Sequence, residues 1–259
     1  ANLREWRWSY DRGQNLSPEF VADSEKIRSL AMPAWAEARN KNDFDVFRPH
    51  LEKIVELNRK KANIYGFDSH PYDALLEGFE RGATTKSIGD LFEDLKTSLK
   101  EIGDLAKNKS NHVAVDLIDG DYTTESQMVF NRDVAESFGF DFEAGRIDTA
   151  VHPFCSGIAP GDTRMTTRYD RLNFMSSLYG VLHETGHGLY EQGLPEEHFT
   201  CPVGKAVSLG IHESQSRLWE NHVGRSIGFW EKWYPRAEEI FPSIKEIGFD
   251  NIIKFCHRS

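Results

Sequence analysis

The sequence H-E-T-G-H occupies positions 183 to 187, within a segment from Asn173 to Gly193 whose apolar residues recur with helical spacing. Residues four apart lie one above the other on an α-helix, so His183 and His187 share one face. Two imidazoles at that spacing can bind one Zn²⁺, and Glu184 between them can reach a water on the metal. The segment must fold as a helix to bring these three side chains together.

The neighbours of the two histidines favour a helix that another part of the chain approaches closely. Glycines cost the interior of a helix about 1 kcal/mol each relative to alanine. Three of them surround the histidines, at positions 180, 186 and 188. One stripe of the predicted helix is expected to face the core: Phe174, Leu178, Leu182, Thr185 and Leu189. The alternative is that this short motif occurs by chance and that the histidines are ordinary surface or core residues.

Two histidines do not complete a catalytic zinc site, which usually has three protein ligands and one open position. The longer motif with a third histidine is absent, because Tyr190 and Gly193 occupy the positions of its glycine and its last histidine. A carboxylate is then the expected third ligand. The downstream candidates are Glu191, Glu196, Glu197, Glu213 and Glu220.

Glu213 is the favoured third ligand, because it lies on a predicted helix and has small residues beside it. Glu220 is two turns further on and is the second candidate, since it could share the same face. Glu191 is too close to the histidines along the same helix and is expected to point away from them. The remaining two glutamates fall in a polar loop, where a solvated role is expected.

These residues predict a hydrolytic reaction. His183, His187 and Glu213 would bind the metal as neutral imidazoles and a carboxylate, so metal binding should weaken at acid pH. The metal would lower the pKa of a bound water and polarise a scissile carbonyl. Glu184 would act as the general base and then pass the proton to the leaving amine.

The remainder of the chain predicts a mainly α-helical protein. Amphipathic helices are expected through most of residues 1–139, with one short strand possible at 113–118. Alternating residues around Arg164 and an adjacent turn predict a hairpin or a small antiparallel sheet beside the H-E-T-G-H helix. A last long helix is expected over 206–229.

These elements suggest one helical catalytic domain over residues 1–259. Within it, residues 1–139 are expected to form a helical scaffold, and residues 140–259 are expected to carry the metal site.

Composition narrows the classes of partner and location. The formal net charge of -10 argues against a surface that binds nucleic acid, which would need a basic face. The sequence has no apolar run long enough to span a bilayer. Three scattered cysteines do not suit a disulfide framework. They favour a reducing compartment and hence a cytoplasmic protein.

Four short motifs in a fixed order carry a family resemblance: HPF at 152–154, D-x-R-x-T at 162–166, H-E-x-x-H at 183–187 and HESQ at 212–215. With them the chain resembles the thermostable-carboxypeptidase-Taq family of metallocarboxypeptidases. The resemblance implies a mostly helical, zincin-like fold, a homodimer, and removal of C-terminal residues from peptides with broad preference. It implies Zn²⁺ or Co²⁺ as the metal and supports Glu213 as third ligand.

Members of that family are considerably longer, and their later motifs have no counterpart in this chain. The chain is therefore expected to be a central fragment, truncated at both ends, which holds the metal centre and lacks part of the substrate groove. Two other functions stay open. One is a zinc endopeptidase or oligopeptidase with the same centre, and the other is a helical fragment that binds metal or peptides without turnover.

Four further side chains are candidates for contact with the substrate or with a ligand. His152 could orient substrate near the metal or be a structural residue at a strand edge. Arg164 could meet a substrate carboxylate, although an ion pair with Asp162 is the favoured role. Tyr190 could support an oxyanion or simply pack as an aromatic ring. His212 could be a hydrogen-bond partner of a metal ligand or a helix-surface residue.

Overall fold

The computed structural model describes residues 1–109 and 120–257. It groups the chain into two compact units, Ala1–Glu101 and Ile102–Ser259. Helices dominate both units, in agreement with the mainly α class. Every helix in the described part of the chain is too short or too polar to cross a bilayer. The strand considered at 113–118 lies outside the described residues.

The first unit consists of successive helices. Ser17 begins the second of them by accepting a hydrogen bond from the Phe20 amide at 3.2 Å, as N-cap serines do. Small buried residues such as Ala38 and Ala62 form its interior. None of the predicted site residues lies in this unit. The helices are α1 Asn2–Gln14, α2 Pro18–Lys41, α3 Arg48–Tyr65 and α4 Pro71–Leu76, and α5 Thr85–Lys109 continues into the second unit.

The second unit carries the sheet and the H-E-T-G-H helix. Its strands are β1 Gly145–Thr149, β2 Cys155–Ala159 and β3 Asp162–Thr167. Its helices are α6 Thr124–Ser137, α7 Phe174–Gln192, α8 Leu209–Arg217, α9 Ile227–Ile240, α10 Ile244–Ile247 and α11 Phe249–Cys256.

The sequence placed α6 with the scaffold of residues 1–139, and that division stays a prediction. In the structure the boundary between the two units falls after Glu101, and α6 is joined to α7 by buried polar side chains. The Asn131 amide donates to the Ser177 hydroxyl at 3.0 Å, and that hydroxyl donates to Gln127 at 2.6 Å. Buried polar groups that satisfy one another fix the register of the two helices. The expectation of a single domain over 1–259 stays a prediction.

The sheet is mixed, with the strand order β1-β3-β2. β2 and β3 form the expected antiparallel hairpin, and Gly161 supplies the positive φ of 79° that its turn requires. β1 pairs with β3 in parallel, from Gly145 opposite Thr163 to Thr149 opposite Thr167. The expectation of a purely antiparallel sheet therefore missed one strand. β2 and β3 both pack on α7, so the sheet lies directly beside that helix.

The core of the second unit forms around one face of α7. Phe174, Leu178 and Leu182 are almost completely buried, together with Phe130 of α6 and Trp230 of α9. Burying a large apolar side chain contributes about 1.5–3 kcal/mol. This face anchors α7, and the opposite face is left to present the two histidines.

The prediction of a single long helix over 206–229 is wrong. Two helices and a π-helical turn replace it: Leu209–Arg217, Leu218–Val223 and the start of α9. The hydroxyls of Ser208 and Ser226 each accept a hydrogen bond from an amide in the first turn of α8 and α9, at 3.1 Å in both. Such serine caps begin new helices, and they compete locally with a continuous one.

A glycine allows α7 and α8 to meet backbone to backbone. A Cβ atom added at Gly186 would lie 2.5 Å from the carbonyl oxygen of Gln215 and 2.6 Å from the Cα atom of Ser216. Only a residue without a side chain permits this approach. The close contact expected from the glycines around the histidines is therefore present at this position.

Replacement of Gly186 by alanine should lower the free energy of unfolding by about 1–3 kcal/mol, because the added Cβ meets backbone that can yield only if α8 moves. Urea unfolding followed by tryptophan fluorescence measures this loss. Gly228→Ala on α9 is the matched control, since a Cβ there meets nothing within 4 Å. The control should keep or slightly raise stability. Equal stability of the two variants would contradict the tight α7–α8 contact.

Candidate metal centre

Two imidazoles of α7 face one carboxylate of α8. The ring centroids of His183 and His187 lie 5.0 Å apart. Glu213 Oε2 lies 3.6 Å from His183 Nε2 and 3.2 Å from His187 Nε2. Each of the three side chains offers one ligand atom, and these atoms all lie within 4.8 Å of one another. The arrangement brings together the three residues that the sequence predicts as metal ligands.

The protonation of these groups suits a divalent cation. Burial lowers the pKa of His187 to about 4, so this ring is neutral at pH 7 and offers a lone pair. Burial alone would raise the pKa of Glu213, but His183 and hydrogen-bond donors on α8 lower it overall, so this carboxylate is ionised. Two imidazoles and one carboxylate match the His₂Glu set of catalytic zinc sites. The residues present therefore fit such a metal.

Glu220 holds His183 through the other ring nitrogen. Glu220 Oε2 lies 2.9 Å from His183 Nδ1, and this hydrogen bond raises the pKa of His183 even though the ring is partly buried. When Nδ1 donates to Glu220, the lone pair of Nε2 is directed to the Glu213 side. Sequence reasoning considered Glu220 only as an alternative ligand. Its spacing of seven residues from Glu213, which places both on one helical face, was the available signal.

Arg217 links the two carboxylates. Its Nε donates to Glu213 Oε1 at 2.9 Å, and its Nη1 donates to Glu220 Oε2 at 3.1 Å. The hydrogen bond at Oε1 leaves Glu213 Oε2 as the oxygen that faces the histidines. The guanidinium also offsets part of the negative charge that gathers around the histidines.

His212 and Glu191 form a second histidine–carboxylate pair beside the first. His212 Nε2 lies 2.7 Å from Glu191 Oε1. The ring of His212 stacks on His187 with a centroid distance of 4.5 Å, and the ring of Tyr190 lies at 64° to His212 with a centroid distance of 5.1 Å. The Tyr190 hydroxyl accepts a long hydrogen bond, 3.4 Å, from the Val207 amide. Glu191 is therefore outside the ligand group, but it engages a neighbour of that group.

Glu184 is buried beside the ligands, with 5% of its surface exposed. Burial raises its pKa to about 7, and the negative charges of Glu213 and Glu220 act in the same direction. A carboxyl group with a pKa near neutrality can both accept and return a proton at physiological pH. The buried environment thus gives Glu184 a pKa that suits proton transfer at neutral pH.

Two other predicted residues lie on the sheet side. The Arg164 guanidinium donates two hydrogen bonds to Asp162, both at 2.8 Å, on the exposed side of β3. The geometry thus has the ion pair that the sequence favoured. His152 is exposed in the loop that precedes β2. Neither residue belongs to the ligand group, and contact of either with substrate stays a prediction.

A family model described as the carboxypeptidase Taq (M32) metallopeptidase matches residues 1–258. The chain belongs to the M32 family. This match and the helical fold agree with the resemblance carried by the four short motifs. The M32 description as metallopeptidase also implies a divalent metal, in line with the ligand group on α7 and α8.

Two relatives are named as carboxypeptidases and are about twice as long as this chain. "Thermostable carboxypeptidase 1" of Thermus thermophilus is 40% identical over an alignment of 260 positions, and the match covers 97% of this chain and 51% of that protein. "Carboxypeptidase 1" of Bacillus subtilis is 37% identical over an alignment of 251 positions, and the match covers 96% of this chain and 50% of that protein. The chain thus spans about half the length of these relatives.

A solved structure confirms the fold. The structure of Pyrococcus furiosus carboxypeptidase, described as apo-Mg, matches with a TM-score of 0.88 and 36% identity, and the match covers 97% of this chain and 51% of that one. The mainly α, zincin-like architecture with a small sheet is therefore shared with this M32 protein.

Glu184 should make the stability of the metal-free chain depend on pH. Its pKa in the folded state is raised from 4.5 to about 7, so its stabilising contribution is full below pH 4.5 and is lost as pH rises through 7. The free energy of unfolding of Glu184→Gln, relative to that of the unsubstituted chain, should rise by roughly 2 kcal/mol between pH 4.5 and pH 7, once solvent screening is allowed for. Urea titrations at several pH values in the presence of a chelator measure the difference.

The control is Glu197→Gln, which removes an exposed carboxylate from the loop after α7. The difference in free energy of unfolding between Glu197→Gln and the unsubstituted chain should not change with pH over the same range. A flat difference for Glu184→Gln as well would show that the Glu184 carboxyl titrates normally.

Proposed function

We propose that this chain carries the catalytic centre of a metallocarboxypeptidase, which hydrolyses the C-terminal peptide bond of peptides with broad preference. The observation that carries the proposal is the convergence of His183, His187 and Glu213 beside the buried Glu184. The names of the M32 relatives, which are carboxypeptidases, support the reaction class.

Zn²⁺ is the proposed metal, with Co²⁺ as the alternative, and His183, His187 and Glu213 would hold it. When bound, such a metal lowers the pKa of a coordinated water and polarises a carbonyl. Imidazole and carboxylate ligands in a set of three suit zinc. Glu220 and Arg217 support this role of the ligands, because one fixes the tautomer of His183 and the other engages the second oxygen of Glu213.

Glu184 is the proposed proton carrier of the reaction. It accepts a proton from the attacking water and delivers it to the nitrogen of the leaving amine. Its pKa of about 7 supports both steps, since a carboxylate at the ordinary value would return the proton poorly. Burial, which raises that pKa, also keeps bulk water away from the proton.

Glu184→Gln should reduce turnover by a factor of at least about 100, because general acid–base catalysis contributes about 10²–10⁴-fold. The same variant should keep its metal, since Glu184 is outside the ligand group. Mass spectrometry of a peptide digest measures turnover, and metal analysis of the same sample measures occupancy. Glu197→Gln serves as the control and should retain full activity. Unchanged turnover in Glu184→Gln would refute the assigned role.

Glu213→Ala should lose the metal, because it removes one of three ligands and leaves the two histidines without a carboxylate partner. Thermal unfolding with and without Zn²⁺ gives the readout. The unsubstituted chain should melt at a higher temperature when Zn²⁺ is added, and the variant should not. A chain that gains no stability from Zn²⁺ or Co²⁺ would contradict the proposed centre.

The digest also separates the proposed reaction from its alternatives. Release of single residues from the C-terminus supports a carboxypeptidase, whereas internal cuts would indicate an endopeptidase or oligopeptidase. Metal binding without any cleavage would indicate a binding protein. The present geometry favours neither alternative over the proposed reaction.

Three further proposals concern the oligomeric state, the cellular location and the substrate contacts of the protein. A homodimer is expected from the family resemblance, and light scattering during size-exclusion chromatography tests it. A cytoplasmic location is supported by Cys155, Cys201 and Cys256, all of which are free thiols. Contact of His152, Arg164 or Tyr190 with the peptide substrate is testable by alanine substitution and comparison of KM with kcat.

A further inference from the structure

The two histidines of α7 are held in different ways. His183 has a hydrogen bond from Nδ1 to Glu220. The Nδ1 atom of His187 is buried and has no hydrogen-bond partner among the described residues. In metal-binding histidines, the ring nitrogen that does not bind the metal usually donates a hydrogen bond to a carboxylate, a backbone carbonyl or a water. That hydrogen bond fixes the plane of the ring. Within the described part of the chain, no hydrogen bond of this kind orients His187.

The ring of His212 supplies a different restraint. The two imidazoles are nearly parallel, with an interplanar angle of 17° and a centroid distance of 4.5 Å. Both side chains are largely buried, with 13% of His187 and 14% of His212 exposed. Rotation of the His187 ring about its Cβ–Cγ bond would break the stack and meet the face of His212.

Glu191 in turn holds His212. The hydrogen bond from His212 Nε2 to Glu191 Oε1, at 2.7 Å, fixes the ring that stacks on His187. Gly157 of β2 leaves the space that this carboxylate occupies, because a Cβ atom at Gly157 would collide with Glu191 Oε2. The carboxylate is thus enclosed between α7, α8 and the sheet, which restricts its own motion.

We propose that Glu191 and His212 form a positioning pair that sets the orientation of His187 toward the metal. The inference rests on the proposed metal centre. Neither residue is in the ligand group, and both act through the ring of His187. Glu220 orients one ligand through a hydrogen bond, whereas this pair orients the other through a stacked ring.

The experiment compares substitutions that separate the ring from its hydrogen bond. His212→Ala removes the stack and should weaken binding of Zn²⁺ by about 10- to 100-fold, the usual effect of losing an outer partner of a metal ligand. His212→Phe keeps a flat ring and should recover a large part of that affinity. Glu191→Ala should weaken binding in the same sense, and Glu191→Gln, which keeps an acceptor oxygen, should recover it.

Two readouts are used on the full chain. Competition with a chromophoric chelator gives the affinity for Zn²⁺. The visible absorption spectrum of the Co²⁺ form reports the geometry of the ligands around the metal. A change in overall stability alone would not alter this spectrum. The spectrum should change in His212→Ala and Glu191→Ala. It should match the unsubstituted chain in Glu197→Gln, which removes an exposed carboxylate outside the ligand group. Thermal unfolding of each metal-free variant verifies that it is folded.

The outcomes separate this inference from the proposed function. Suppose that the unsubstituted chain binds Zn²⁺ and Co²⁺, that His212→Ala and Glu191→Ala bind Zn²⁺ within twofold of its affinity, and that their Co²⁺ spectra are the same as its spectrum. The positioning role is then overturned and the metal centre stands. If His212→Phe is as weak as His212→Ala, stacking is not the restraint, and the inference fails. If the unsubstituted chain binds neither metal, the proposed function fails and this inference falls with it.

Discussion

The backbone contact between α7 and α8 at Gly186 is the constraint on which the centre depends. It brings the segment that carries Glu213 close enough for one carboxylate oxygen to face both histidines. A larger residue at this position would push α8 outward and separate the carboxylate from the rings. The glycine weakens α7 by about 1 kcal/mol. The buried face of Phe174, Leu178 and Leu182 offsets that loss.

Around this contact, three carboxylates of similar intrinsic acidity acquire different properties from their neighbours. Glu220 is ionised because it accepts a hydrogen bond from His183, and Glu213 is ionised because His183 and donors such as Arg217 outweigh its desolvation. Glu184 has burial as its dominant influence and titrates near pH 7. Groups whose surroundings move their pKa values apart can divide acid–base and binding roles among themselves. The fold thus gives chemically identical side chains different protonation behaviour.

Local spacing explains what the sequence could predict and what it could not. The face shared by His183 and His187 follows from helical geometry alone, and the residues beside Glu213 pointed to it as a ligand. For Glu220, the partner of His183, the spacing from Glu213 was the local signal. The pairing of His212 with Glu191 depends on how α8 packs on α7, which no local pattern encodes. The parallel pairing of β1 was missed for the same reason, since it joins segments that are not adjacent along the chain.

The loop between α7 and α8 has a consequence for how the centre varies among related chains. All charged side chains of the centre lie between His183 and Glu220, on two helices and the π-helical turn that follows. Doubling the length of a flexible loop costs only about 0.6 kcal/mol in closure entropy. One residue inserted within α7 or α8 would instead rotate the following side chains by about 100°. Insertions should therefore accumulate in the loop, while the helical lengths on either side of it stay fixed.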